Sequence, residues 1–222
     1  MSLFEDGFES NDFTAWTGTT GAPSVQGGVK HTGLYAMQAA MTGQNYASKT
    51  FADQSTCHAR GYFRFSGLQG SAAWQQGVMA LRDTGVAQAC RAEVNCPTSD
   101  NTDFYWSLYD NINSARNTSD ALCVIDTWYC VEVAIYLNVN GWIRLWVDDV
   151  LESEYDPVDT SSVAHISDLF FGSYPAGYAH TLYGDCAVID DAYIGLEAAA
   201  GGTGSPGGVS SIMGQLVVNR LV

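Results

Sequence analysis

The sequence predicts an all-β protein, an antiparallel β-sandwich of the jelly-roll type with a short C-terminal extension. Three observations carry this expectation. Apolar and polar residues alternate with period two along most of the chain, 23 glycines and polar clusters punctuate the alternating segments, and no stretch keeps a 3.6-residue period. At 222 residues the chain can bury one sizeable core, and all-β domains of that length are often single.

In chain order, strands are expected at Leu34–Met41, Tyr46–Phe51, His58–Phe65, Gly77–Arg82, Val86–Val94 and Phe104–Tyr109. They continue at Trp128–Asn138, Trp142–Leu151, Ile166–Gly172 and Cys186–Ile194. The pieces GTTGAPSVQGG, SGLQGS, PTSDNTD and DNINSARNTSD read as connections because Gly, Pro, Asn, Asp and Ser supply turn geometry. Many short strands with polar connections favour a sandwich.

The segment from Trp128 to Val150 allows a register to be argued. Tyr129, Val131, Val133, Ile135 and Leu137 form one apolar row, and Ile143, Leu145 and Val147 form another. A two-residue Asn140-Gly141 loop sets apolar against polar rows, which is wrong for a half-buried sheet. A three-residue loop, Val139 to Gly141 with Gly141 left-handed in a bulge, restores agreement. It opposes Ile135 to Leu145 and Val133 to Val147 inside, and Tyr136 to Arg144 and Ala134 to Trp146 outside.

The domain is expected to span residues 1–197, followed by a Gly-rich linker at 198–209 and an apolar tail at 210–222. The linker residues AAAGGTGSPGG are flexible by composition. Burying the tail's apolar side chains barely matches the entropy of ordering them. The tail is therefore expected to dock on a neighbouring subunit's sheet edge and make a homo-oligomer.

A formal net charge of −15 repels phosphate backbones and anionic lipid, so neither nucleic acid nor membrane is an expected partner. No apolar run approaches the ~18 residues of a membrane span. The opening MSLFEDGFES has neither the basic nor the apolar region of a secretory leader. An extracellular or virion-surface location is then expected through prior removal of a leader or through release inside a virion. Six cysteines permit up to three disulfides. Cys90 and Cys96 lie too far apart in an extended strand to bridge, at about 20 Å. Cys123 and Cys130 flank a possible turn and remain eligible, and buried free thiols are the alternative. Without C-x-x-C or a paired Cys/His spacing, the sequence argues against zinc.

FEDGFESNDFTAW and GGVKHTGLYAMQA, with YFRFSGL, MALRD, WYCVEVAIYL, IRLWVDDV and the final AVIDDAYIG, resemble concanavalin A-like, laminin G-like jelly rolls. Such domains occur in bacterial, archaeal and phage surface proteins and in carbohydrate-active enzymes. The resemblance spans residues 3–195. It implies a structural calcium joining the first turn to the last strand, at Glu9 and Asp190 with Asp6 and Asp191 as further ligands and the Lys30 carbonyl as a possible addition. Two carboxylates with backbone carbonyls can satisfy the oxygen coordination of calcium. It also implies that one sheet face receives sugars. Trp128, Glu132, Tyr136, Arg144 and Trp146 suit that role, since aromatic rings stack on pyranoses while Arg and carboxylates bond hydroxyls. The rival reading has these rings covered by the loop from Asp110 to Thr127, or by a neighbouring subunit. The leading expectation is a non-catalytic structural or adhesive module contacting glycan.

The alternative is a carbohydrate-active enzyme, a polysaccharide lyase above all. Lyases on this fold use Tyr, His, Arg or Lys, and His58, Arg60, Tyr62 and Arg64 alternate onto one face. A glucanase is disfavoured because EYDPVD (Glu154 to Asp159) lacks a final Glu and contains Pro157. Neither a G-x-S-x-G elbow nor a phosphate-binding glycine loop is present.

Overall fold

In a computed structural model, which describes residues 2–68, 74–84, 88–97, 103–174 and 180–197 and of Trp74 only the backbone, the alternating segments form two antiparallel sheets. The first sheet runs in the order β13 (Val150–Val158), β12 (Gly141–Val147), β11 (Tyr129–Tyr136), β6 (Thr56–Phe65), β15 (Thr181–Asp190), β4 (Ala36–Ala40) and β3 (Ser24–Gln26). A short β1 (Phe4–Asp6) also pairs with β15. The second sheet runs β10 (Ala115–Leu122), β9 (Tyr105–Asp110), β8 (Gln88–Cys96), β7 (Trp74–Arg82), β14 (Ile166–Tyr174), β5 (Asn45–Gln54) and β2 (Gly18–Thr20). Together they form the expected concanavalin A-like sandwich. Among the described residues no helix is long and apolar enough to cross a membrane.

The apolar rows meet between the sheets. Val131, Val133, Ile135, Ile143 and Leu145 from the first face Leu81, Val94, Trp106, Leu108 and Leu169 from the second, all fully buried. Each such side chain contributes roughly 1.5–3 kcal/mol on burial. Phe171 is keyed into a notch left by two glycines of the first sheet. A Cβ at Gly61 would come 2.3 Å from the Phe171 ring, and one at Gly184 would come within 2.5 Å. At the entry, Trp16 stacks on Phe8 at 5.7 Å and donates its indole N–H to Asp6 at 2.6 Å.

Three local readings are corrected. The β11–β12 hairpin has the expected inner and outer rows, but its register is offset by two residues and its loop is two residues longer. Ile135 opposes Ile143, Val133 opposes Leu145, Ala134 opposes Arg144 and Glu132 opposes Trp146. The connection takes five residues because Thr160 plugs it, donating its hydroxyl to the Tyr136 carbonyl at 2.8 Å and accepting Asn138 N–H at 2.9 Å. Gly141 is not left-handed. It is needed because a Cβ there would sit 2.3 Å from the Tyr136 carbonyl.

Second, Trp142 to Leu151 is not one strand. Asp148 and Asp149 both take positive φ, 49° and 71°, and reverse the chain into β13, as a two-residue turn matching the sheet twist requires. Pro157 lies in β13, the edge of its sheet, where a missing N–H is tolerated. Third, two presumed connections hold strands: GTTGAPSVQGG contains β2 and β3, and the loop after Asp110 contains β10, where ARNTSDAL lacks apolar alternation because it forms the second sheet's outermost strand.

All six cysteines are buried and none is disulfide-bonded, Cys123 and Cys130 included. The expected linker (198–209) and docking tail (210–222) lie outside the described residues.

Candidate functional site

On the outer face of the first sheet, β6 presents His58, Arg60, Tyr62 and Arg64, as its alternation requires. β11 presents Cys130, Glu132 and Tyr136 beside them, and β12 adds Trp142, Arg144 and Trp146. The chain itself closes the middle of this face. After β15, residues 192–197 turn back across it as a strap. Glu132 takes the backbone N–H groups of Ile194 and Gly195, at 3.1 and 2.9 Å, and a contact of 2.7 Å from His58 Nδ1. Arg60 donates to the Gly195 carbonyl at 3.3 Å, and Glu197 N–H donates to the Tyr62 hydroxyl at 3.0 Å. Tyr193 packs its ring 5.1 Å from Trp146 and its hydroxyl bonds Asp149.

The five residues expected to form a glycan face are therefore divided. Glu132 is 2% exposed and committed to the strap. Trp146 is half-buried beneath Tyr193. Trp128 stands apart, edge-on to His31 at 5.8 Å. Tyr136 and Arg144 remain with Trp142 as a half-exposed ledge, the Arg144 guanidinium 4.6 Å over the Trp142 ring and bridged to Glu154 and Asp156. The cover is the chain's own strap, not the segment from Asp110 to Thr127.

Three of the carboxylates expected to hold calcium, Glu9, Asp6 and Asp190, already accept backbone N–H groups. Glu9 accepts Leu34 N–H with both oxygens, at 2.9 and 3.0 Å, and Tyr35 N–H at 3.2 Å. It thereby clamps the turn at Gly33, where φ is +60°. Asp6 holds Phe8 N–H and the Trp16 indole. Asp6 pairs with Ala187, whereas Asp190 lies beyond the Phe4–Ile189 pair. Three residues of extended chain separate the two levels, roughly 10 Å. Asp190 instead accepts the N–H of Asp191 at 2.8 Å. Calcium needs its oxygens at about 2.3–2.6 Å, and among the described residues no three of these four carboxylates gather into a metal-sized group.

The outer face of the second sheet carries a different constellation. On β8, Arg91, Glu93 and Asn95 point outward, beside Tyr109 and Ser107 of β9 and Arg116 and Thr118 of β10. Glu93 is fully buried between two guanidinium groups. Arg91 Nε donates to it at 2.8 Å, and Arg116 Nε bonds its other oxygen. Arg91 also reaches Gln88 at 3.2 Å, and Arg116 reaches Gln75 at 2.5 Å. Both guanidinium groups lie over the Tyr109 ring, at 4.3 and 4.8 Å.

Beside this fork, Gly77, Ala80, Arg91, Phe170 and Tyr174 line a narrow crevice with no room for a water molecule. A Cβ at Gly77 would meet the Tyr174 carbonyl at 2.2 Å, so glycine keeps that wall low. The crevice continues to Tyr46, stacked on Phe170 at 4.2 Å, and to Arg82, 3.9 Å over the same ring and ion-paired with Asp168. The chain has only nine basic residues, and Arg82, Arg91 and Arg116 share this face. Sequence reading missed it. The alternation Arg91-Ala92-Glu93-Val94-Asn95 was available as a signal, but Arg116 sat in a segment read as loop.

No family model matches the chain, and no curated protein matches it. Solved structures do share its fold. The cellulose-induced protein Cip1 is 17% identical, with a TM-score of 0.64 over 87% of this chain and 100% of that one. An endo-β-1,4-glucuronan lyase from the fungus Trichoderma reesei is 15% identical, with a TM-score of 0.58 over 85% of this chain and 95% of that one. A variant of alginate lyase Aly36B in complex with an alginate tetrasaccharide is 14% identical, with a TM-score of 0.51 over 73% and 82%. At these identities the likeness establishes the jelly-roll fold.

Proposed function

We propose that the protein is a non-catalytic carbohydrate-binding module whose ligand is an anionic, uronate-bearing polysaccharide, held on the outer face of the second sheet. The observation that carries this reading is the Arg91–Glu93–Arg116 fork. Two guanidinium groups are fixed by a shared buried carboxylate, by Gln75 and Gln88, and by the Tyr109 ring. Planar guanidinium suits carboxylate recognition, and groups already held in place lose little entropy on binding. Tyr174, half-exposed beside Arg91 and backed by the buried Phe170 ring, adds an aromatic surface of the kind sugar rings stack on. The fork, two guanidinium groups on one carboxylate, keeps one net positive charge in a chain of net charge −15, a local exception that an acidic ligand would exploit. The uronate polymers named for two of the similar folds support the same ligand class.

A second reading rests on the tyrosines. Tyr109 and Tyr174 place phenols on the same face as Arg91. β-Elimination beside a uronate needs a cation or amide on the carboxylate and a nearby group to move a proton. One experiment separates the two. The protein is titrated by calorimetry with glucuronan, alginate and a neutral glucan, and each mixture is then followed for the ultraviolet absorbance of unsaturated products. Binding of a uronate polymer that weakens with salt and is lost in Arg91→Ala and Arg116→Lys, with no new absorbance, is the expected result. Absorbance growth would favour the lyase. Equal binding of the neutral glucan, unaffected by either substitution in a folded protein, would overturn both.

A further inference from the structure

Chain spacing argues against zinc, but the fold gathers three distant donors at the end of the strap. His31 comes from the connection between β3 and β4, Cys186 from β15 and Glu197 from the last described position. One ligand atom from each lies within 4.8 Å of the others. We propose that His31, Cys186 and Glu197 bind a zinc-class divalent transition metal, with a fourth position open to water, and that this metal latches the strap onto the first sheet.

The donor set selects the metal class. One imidazole nitrogen, one thiolate and one carboxylate oxygen suit zinc or cobalt; calcium takes oxygen ligands alone. His31 is oriented by stacking on Tyr62 at 3.7 Å, and its Nδ1 is shielded from solvent without a hydrogen-bond partner, 3.6 Å from Glu197 Oε2. A bulge between Asp185 and Val188 turns Cys186 outward at a φ of 51°, a backbone choice a non-glycine residue rarely makes and one often found where a side chain is aimed. Behind the donors, Asp185 accepts the backbone N–H groups of His31 and Thr32 at 2.9 and 3.3 Å, fixing the loop that presents the imidazole. Such supporting bonds are typical of metal sites. A cleft of about 640 Å³ reaches the cluster past Thr32, Gly33 and Arg60.

Zinc bonds of about 2.0–2.3 Å set neighbouring ligand atoms roughly 3.5 Å apart. Closing the present spread therefore asks for a movement of about 1 Å, which Glu197, 37% exposed at the end of the strap, can supply. On binding, the Cys186 thiol gives one proton to solvent, and thiolate plus carboxylate neutralise the ion. Glu197 is joined to Tyr62 through its own N–H, and Gly195 is held by Arg60 and Glu132. A metal at this end therefore restrains the whole strap.

The test uses the full chain stripped of metal. Zinc should bind at one ion per chain by calorimetry. Cobalt should give a thiolate-to-metal charge-transfer band. Cys186→Ser should abolish that band, and Glu197→Gln should weaken zinc by about 100-fold, the upper end of what loss of a site partner does. Both variants are checked for fold by circular dichroism. Amide exchange at Ile194 and Gly195 should slow on adding zinc to the parent protein and not to Cys186→Ser. A cobalt band that survives Cys186→Ser would place the metal on another thiol and overturn the site. So would absence of zinc binding, or slower strap exchange with calcium but not with zinc.

Discussion

The two outer faces of this sandwich solve one problem in opposite ways. Each carries charged and aromatic side chains on a sheet whose other side is core. On the first sheet, the polar groups are satisfied by backbone of a crossing segment, with Glu132 holding the Ile194 and Gly195 amides. On the second, they are satisfied sideways by one another, with Glu93 holding Arg91 and Arg116. The first arrangement consumes the face to fasten the chain. The second stiffens a set of donors in place. Burial of a charged residue is thus not by itself a sign of a site; what its partner is decides the meaning.

The sharpest way to break this contrast is at the two buried glutamates. Glu93→Ala should cost about 3 kcal/mol in urea unfolding, because it leaves two neighbouring guanidinium groups without their shared counter-charge. It should also abolish uronate binding in protein that remains folded. A loss below ~1 kcal/mol would mean that the fork is a solvated surface pair. Glu132→Ala should cost less, about 2 kcal/mol, and the loss should be local. Hydrogen exchange at Ile194 and Gly195 should accelerate while β8 and β9 stay protected. Acceleration throughout both sheets would show that the strap is part of the cooperative core.

Trp146→Ala comes next. As a half-buried ring against Tyr193 and His58 it should cost about 1 kcal/mol, and uronate affinity should be unchanged because the ring is on the other sheet. A tenfold affinity loss would return the glycan site to the first face. The smallest effect is expected from Arg144→Ala. Its bridges to Glu154 and Asp156 are exposed, so stability should change by less than ~1 kcal/mol in thermal unfolding.

Alternation told the direction of side chains reliably, because period two is a property of the strand itself. His58, Arg60, Tyr62 and Arg64 do share an outer face, and the rows of β11 and β12 are as read. What lies above a face is a long-range fact. Glu132 lies 62 residues before Ile194, and nothing local in WYCVEVAIYL announces a strap. Register failed for a similar reason, since Thr160 lies outside the hairpin whose connection it props open. The face with the arginine fork was half legible. Arg91 and Glu93 alternate plainly, but β10 carries so little apolar pattern that Arg116 could not be assigned a direction.

Phe170 and Phe171 are successive residues of β14 that look opposite ways. One ring floors the crevice under Arg82 and against Tyr46, and the other occupies the Gly61–Gly184 notch in the opposite sheet. A single peptide unit therefore gears the outer face of the second sheet to the far layer. Sliding one sheet past the other would lift Phe171 out of its socket, so the layers are interlocked against shear along this strand. A change at Gly61, in the opposite sheet but mechanically one step away through Phe171, would tilt the floor of the crevice.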